Sequence, residues 1–309
     1  MRPQPGSLLL TIIACLATAK ASFADHSISF ELKETRVVIS VDGKLLAVYV
    51  WQDPNILRPY FAHLRAPDGT QVTRNLPPMA GDANDHSTMH PGLWLGFGDI
   101  SGADFWRNKG HVEVQFVEQP TASGSTGGFA VRNDYRSMDK SICSELCRIR
   151  ISVLPSGYLI NWDSRFSGDD DFSFGDQEEM GLGVRMATPL TVKSGGQITN
   201  SQGLENEKQV WGQPSDWCDY GGTINGRRIG IMLMPDPQNF RRSWFHARDY
   251  GLLVANPFGA NAFTKGATSK VPVKAGDTFR LRFGVLVHSG PIDFPVAYKD
   301  WVTSLKPTN

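Results

Sequence analysis

The chain has 309 residues, and its 31 Lys and Arg are balanced by 31 Asp and Glu, so the formal net charge is zero. That balance excludes the cationic surplus on which nucleic-acid binders and polybasic membrane-surface proteins depend. With 40% hydrophobic and 20% charged residues the composition is globular, and 31 Gly with 19 Pro favour a fold with many turns.

At the start, Arg2 precedes the apolar run from Leu8 to Ala17, and small residues follow around Ala19, Ala21, Ser22 and Ala24. This is the layout of an export signal, and the run is too short to span a membrane. Residues 1–24 are expected to be a signal peptide, cleaved after Ala21 or Ala24, which makes the protein periplasmic or secreted. Residues 25–309 are expected to form one β domain. Ile12-Ile13-Ala14-Cys15 loosely resembles a lipobox, so a lipid tether at Cys15 is the alternative. No later stretch reaches the ~20 apolar residues of a membrane helix, so no transmembrane span is expected.

Short β-type runs follow. Ile28–Leu32, Val37–Val41 and Leu45–Trp51 alternate, with Asp42-Gly43 as a hairpin signal between the last two. Tyr60–Arg65 leads to a turn at Pro67-Asp68-Gly69. Further strands are expected at His111–Val117, Phe129–Tyr135, Cys147–Val153, Tyr158–Phe166, Gly183–Thr188, Thr223–Ile224, Arg228–Met234, Gly251–Ala255 and Thr278–His288. So many strands, separated by turn signals, predict an all-β antiparallel sandwich or barrel with few short helices. One helix is expected at the C-terminus, where Asp293 can cap, Pro295 sits in the first turn, and Phe294, Ala297, Trp301 and Leu305 share a face. Cys143 and Cys147 are expected either to close a small disulfide loop in an oxidising compartment or to remain thiols.

Four clusters could carry chemistry. The first, from Asp82 to Trp94, holds Asp85, His86 and His90; such residues suit a carboxylate-oriented imidazole acid/base or a metal site. The second, Gly175–Gly181, holds Glu178 and Glu179, which point to opposite faces of an extended backbone, and runs on to Arg185. The third gathers Trp211, Asp216, Trp217, Asp219 and Tyr220. Aromatic faces stack on sugar rings and carboxylates bind hydroxyls. The fourth, Trp244–Tyr250, puts His246 and Arg248 on one face if it is a strand. No Gly-x-Ser-x-Gly elbow, phosphate loop or dinucleotide motif is found, so no cofactor is expected.

Several stretches resemble a family of exported bacterial proteins labelled "methane oxygenase PmoA-like". They include Arg58-Pro59-Tyr60-Phe61, Asp85-His86 with His90 and Gly92-Leu93-Trp94, Gly102–Trp106, Phe174–Asp176, Glu179–Leu182, Val210–Gly212, Asp216-Trp217 with Asp219-Tyr220, and Arg248–Gly251 followed by Ala255–Gly259. The family's loop usually reads Asp-His-x-His-His with a basic residue before Gly-Leu-Trp, whereas here Ser87–Met89 separates the histidines and Pro91 replaces the basic residue. A membrane monooxygenase subunit needs several spanning helices, which this chain lacks after its signal. The resemblance instead implies a β-sandwich similar to galactose-mutarotase-like supersandwiches, with a carbohydrate in a groove on the concave sheet.

On that reading His86, His90, Glu179, Asp219 and His246 are the catalytic acid/base candidates of an epimerase, lyase or hydrolase. Arg58, Trp94, Arg185, Trp211, Trp217, Tyr220 and Arg248 would bind the sugar. The rival readings are a non-catalytic carbohydrate-binding protein and a metal-dependent enzyme built on Asp85, His86 and His90.

Overall fold

The computed structural model describes residues 26–306; the expected signal peptide and Cys15 lie outside the described residues. Alternating strands need a second sheet to bury their apolar faces, and two large antiparallel sheets supply one another. The eight-stranded sheet runs, in spatial order, Ile28–Leu32, Arg36–Val41, Lys44–Val50, Tyr60–Ala62, Leu93–Phe97, Met180–Arg185, Leu252–Asn256 and Trp244–Arg248. The nine-stranded sheet runs Gln197–Asn200, Cys218–Ile224, Arg227–Pro235, Phe279–Ser289, Gly157–Ser167, Lys140–Leu154, Thr126–Ser137 and His111–Val117, with Thr121–Ser123 paired to Thr126–Ser137. Phe61, Leu95, Val184 and Leu253 of one sheet meet Ile149, Trp162, Ile231 and Phe283 of the other in a single apolar layer.

The hairpin at Asp42-Gly43 is present, with φ of 50° and 74°, the left-handed pair that a two-residue turn of this hand requires. The terminal helix spans Phe294–Ser304, and the Asp293 carboxylate accepts from the Val296 N–H at 3.0 Å. Its Trp301 lies on the outer face of the nine-stranded sheet over Gly284, where an added Cβ would sit 2.5 Å from the indole.

Two strands show where the structure departs from expectation, and the alternative left open at the cysteines is decided. Leu93–Phe97, where no strand is expected, is a central strand; Leu-Trp-Leu-Gly-Phe is buried on both faces and so shows no alternation. The strand expected at Gly183–Thr188 begins at Met180 and ends at Arg185, and Thr188–Leu190 forms a 3-10 turn around Pro189. Cys143 and Cys147 are buried free thiols rather than a disulfide. Both lie on the continuous strand Lys140–Leu154, where four residues at ~3.3 Å each hold the Cα atoms about 13 Å apart, well beyond the ~7 Å a disulfide can bridge.

Candidate functional site

Strand parity decides which side chains leave the core. Leu93, Leu95 and Phe97 point inward, so Trp94 and Gly96 point outward; likewise Gly183 and Arg185 leave from the next strand, Leu252 and Val254 from the next, and His246 and Arg248 from the edge strand. Cross-strand register then lines them up. Trp94 faces Gly183, Gly183 faces Val254 and Val254 faces His246, while Arg185 faces Leu252 and Leu252 faces Arg248. One row thus crosses four strands and the other three, at the ~4.8 Å strand spacing.

The aromatic half of the site is a stack. Trp94 and Trp106 cross at 65° with centroids 5.1 Å apart. They lie on the sheet because Gly183 has no Cβ, which would come within 2.9 Å of Trp94. His90 stacks on Trp94 at 5.3 Å and 13°, and His86 lies 5.1 Å beyond it. Burial foremost, with the nearby guanidinium groups of Arg185 and Arg58, lowers the His90 pKa to about 2, so this imidazole is neutral. The Trp106 Nε1–H points at its Nε2 from 3.4 Å, which leaves the ring hydrogen on Nδ1, where no group of the described residues meets it. The Trp94 Nε1–H is likewise buried without a partner.

The polar half is built from arginine–carboxylate pairs. Arg185, almost fully buried, donates from both Nη atoms to Asp85 at 2.9 Å and lies 4.4 Å over the Tyr250 ring. Burial pushes the Asp85 carboxyl up, but the Arg185 fork outweighs it and holds the pKa well below the usual carboxylate range. Asp85 also meets His86 Nδ1 at 3.2 Å, and His86 is exposed.

Across the row, Arg248 Nε donates to His246 Nε2 at 2.9 Å. That fixes the His246 hydrogen on Nδ1, which faces the Glu178 carbonyl at 3.3 Å. Burial, then Arg248, lowers its pKa to about 4. Arg248 further pairs with Glu178 at 3.3 Å and Glu207 at 2.9 Å and lies 5.7 Å over the Trp211 ring, whose Nε1 is unpartnered.

The structure therefore brings together His86, His90, Trp94, Arg185, Trp211, His246 and Arg248. Five other expected residues are elsewhere or otherwise engaged. Glu179 pairs with Arg107, and its neighbour Glu178 turns to Arg248 and His246, because adjacent residues on extended backbone face opposite ways. Asp219 belongs to the nine-stranded sheet, fully buried between His288 Nε2 at 2.8 Å and Arg228 at 2.5 Å. Trp217 packs beneath the terminal helix against Phe294. The Tyr220 hydroxyl is spent on backbone, donating toward the Arg248 and Asp249 carbonyls and accepting from the Val192 N–H. Arg58 is buried and clamps the carbonyls of Met89, Phe105 and Trp106, so it shapes the loops instead of meeting a ligand.

The metal triad is not assembled either. Asp85 spends both oxygens on Arg185, His90 is stacked between rings, and among the described residues no three His, Cys, Asp or Glu side chains converge as ligands.

Glu207 and Arg74 were not signalled by any motif. Glu207 sits in the five-residue helix Asn206–Val210 and reaches Arg248 across 41 positions. Buried Arg74 holds the loop carbonyls of Asp85 and Ala83 at 2.9 and 2.6 Å. Tyr250 and Glu178 were within recognised clusters, and only the tertiary contacts single them out.

Because Asp219 is outside the site and fully buried, Asp219→Ala is expected to cost about 1–3 kcal/mol by leaving the buried His288 Nε2 without its hydrogen-bond partner. Urea unfolding of parent and variant checks this, and an unchanged midpoint would contradict it.

Fold and site together define an all-β antiparallel sandwich with an aromatic stack and arginine–carboxylate clusters on the outward face of its eight-stranded sheet. The chain belongs to a family of unknown function, DUF6807, whose profile matches residues 36–301. No curated protein sequence matches it. Among solved structures it is similar to the GH36 α-galactosidase AgaA from Geobacillus stearothermophilus, at 8% identity and a TM-score of 0.39, over 84% of this chain and 40% of that one. It thus spans less than half of that enzyme's length. It is also similar to a GalM/aldose epimerase homologue from C. elegans, at 8% identity and a TM-score of 0.34, over 86% of this chain and 100% of that one. A third is a galactose mutarotase related enzyme from Lactobacillus acidophilus, at 11% identity and a TM-score of 0.33, over 84% and 97% of the two chains. Among the described residues no helix is long and apolar enough to cross a membrane.

Proposed function

We propose that the protein is an exported, carbohydrate-active enzyme that binds a sugar or glycoside in the hollow around His86, Arg185, Tyr250 and Arg248. The observation that carries this reading is the exposed His86 imidazole held by Asp85 beside two arginine–carboxylate clusters and the Tyr250 and Trp211 rings that these arginines overlie. Arginine forks and carboxylates match pairs of sugar hydroxyls, and ring faces cover sugar C–H bonds. His86 is the proton carrier of this reading, because His90 and His246 are held neutral in buried networks. Asp85 orients it, and Glu178 and Glu207 keep Arg248 in place. Export, to the periplasm or beyond it, rests on the signal-like residues 1–24, with a lipid tether at Cys15 as the variant; the mass of the mature N-terminal peptide separates these.

A second reading, a carbohydrate-binding protein without turnover, is favoured by the engagement of Asp85, Glu178, Glu179 and Glu207 in arginine pairs. An oligosaccharide panel with product analysis decides between them. The expected result is turnover that His86→Ala reduces by about 10²–10⁴-fold, with affinity within about tenfold of the parent. Binding without product selects the second reading, and no binding of any sugar sinks both.

A further inference from the structure

Next to His86 the loop 82–85, Arg185, the turn Val192–Ser194 and Tyr250 enclose a cavity of about 230 Å³. Its charges do not cancel. Asp85 is consumed by Arg185. Asp82 is consumed by the Thr188 hydroxyl at 2.6 Å, the Asn75 amide at 2.8 Å and the Met79 N–H at 3.0 Å. Three cations, Arg74, Arg185 and Lys193, face two carboxylates, Asp82 and Asp85, so one positive charge is in excess, and neither Arg74 nor Lys193 has a carboxylate of its own. Arg74 is 3% exposed and meets only the carbonyls of Asp85 and Ala83, which use two of its five N–H donors. Lys193 stands exposed at the mouth. Among the described residues neither lies within ion-pairing distance of a carboxylate. A buried guanidinium with no carboxylate in ion-pair contact, close to a second guanidinium, is a costly arrangement that an incoming anion relieves. Burial foremost, and then the facing Arg185, lower the Arg74 pKa, and the Asp85 and Asp82 carboxylates offset them only in part.

We propose that this cavity receives an anionic substituent of the sugar, a carboxylate or a sulfate ester, with Arg74 and Lys193 as its counter-charges and the Ser194 and Tyr250 hydroxyls as neutral donors. The proposal rests on the carbohydrate reading above and names its substrate class: acidic rather than neutral saccharides. The anion sits one residue from His86, so it also sets which sugar carbon faces the imidazole.

Calorimetric titration of the mature protein with two matched pairs tests it: oligogalacturonate against its methyl ester, and a sulfated galactose disaccharide against its desulfated form. One anionic member is expected to bind at least about tenfold tighter than its neutral twin, and the pair that shows the gap identifies carboxylate or sulfate. In Lys193→Gln that ratio is expected to fall about threefold, and the gap itself to shrink with added salt. Arg74→Lys is expected to lower the ratio further; should it fail to fold, the exposed Lys193 variant still decides. Neutral twins that bind as tightly as the anions overturn the inference and leave the carbohydrate reading intact. If no member of either pair and no neutral oligosaccharide binds, that reading falls and takes this one with it.

Discussion

Asp85→Ala is expected to lower stability by about 2–3 kcal/mol and turnover by at least about 100-fold. The Arg185 side chain is 3% exposed and the Asp85 side chain 38%. Removing the aspartate therefore leaves a buried guanidinium unpaired, while solvent access on the Asp85 side keeps the cost below that of a wholly buried pair. The loop loses the tether that places His86, which is why activity falls with stability.

The pH dependence carries the sign. Asp85 has a depressed pKa when folded, against an ordinary value of 3.8. Its stabilisation is present above that value and disappears as pH falls through the lower folded pKa. Urea midpoints of parent and variant should therefore differ at pH 7 and converge below about pH 4. Equal midpoints at pH 7 would show that the Arg185 fork contributes nothing.

Trp94→Ala is expected to cost about 3–5 kcal/mol. Trp94 is fully buried, rests against Trp106 and supports His90 from below. The glycines beneath it cannot refill the space, and the loop above is anchored elsewhere by Arg74 and Arg58, so the cavity would stay open. Water entering it would reach His90. In the parent, His90 and His246 both have folded pKa values below the ordinary 6.5, so the stability tied to their neutral forms is present above about pH 6.5 and is lost on acidification. Exposing His90 brings its pKa back toward 6.5, so the variant should lose less stability than the parent between pH 6.5 and pH 4. Melting temperatures across that range check this, and parallel curves would contradict it.

Much of the fold was legible because alternation and turn chemistry act locally. The Asp42-Gly43 hairpin, the long strands Gly157–Ser167 and Phe279–Ser289, and the Asp293-capped helix all follow from neighbours along the chain. Leu93–Phe97 escaped because a strand buried on both faces loses its period. Of the site, the His86–Trp94 loop, Arg185, Trp211 and the His246–Arg248 face came from residue type and spacing.

What alternation does not contain is which of a strand's two faces meets the other sheet, and which sheet the strand joins. Glu178 and Glu179 are equivalent in the sequence until Arg248 claims one and Arg107 the other. Asp219 and Trp217 look like sugar-binding residues beside Trp211, yet the strand starting at Cys218 pairs into the nine-stranded sheet and carries Asp219 to His288. The residue types and local elements were thus set by the chain itself. The membership of the hollow was decided only by strand register and by arginine–carboxylate pairs that bridge 41 to 100 positions, since such contacts depend on distances in space that no local pattern encodes.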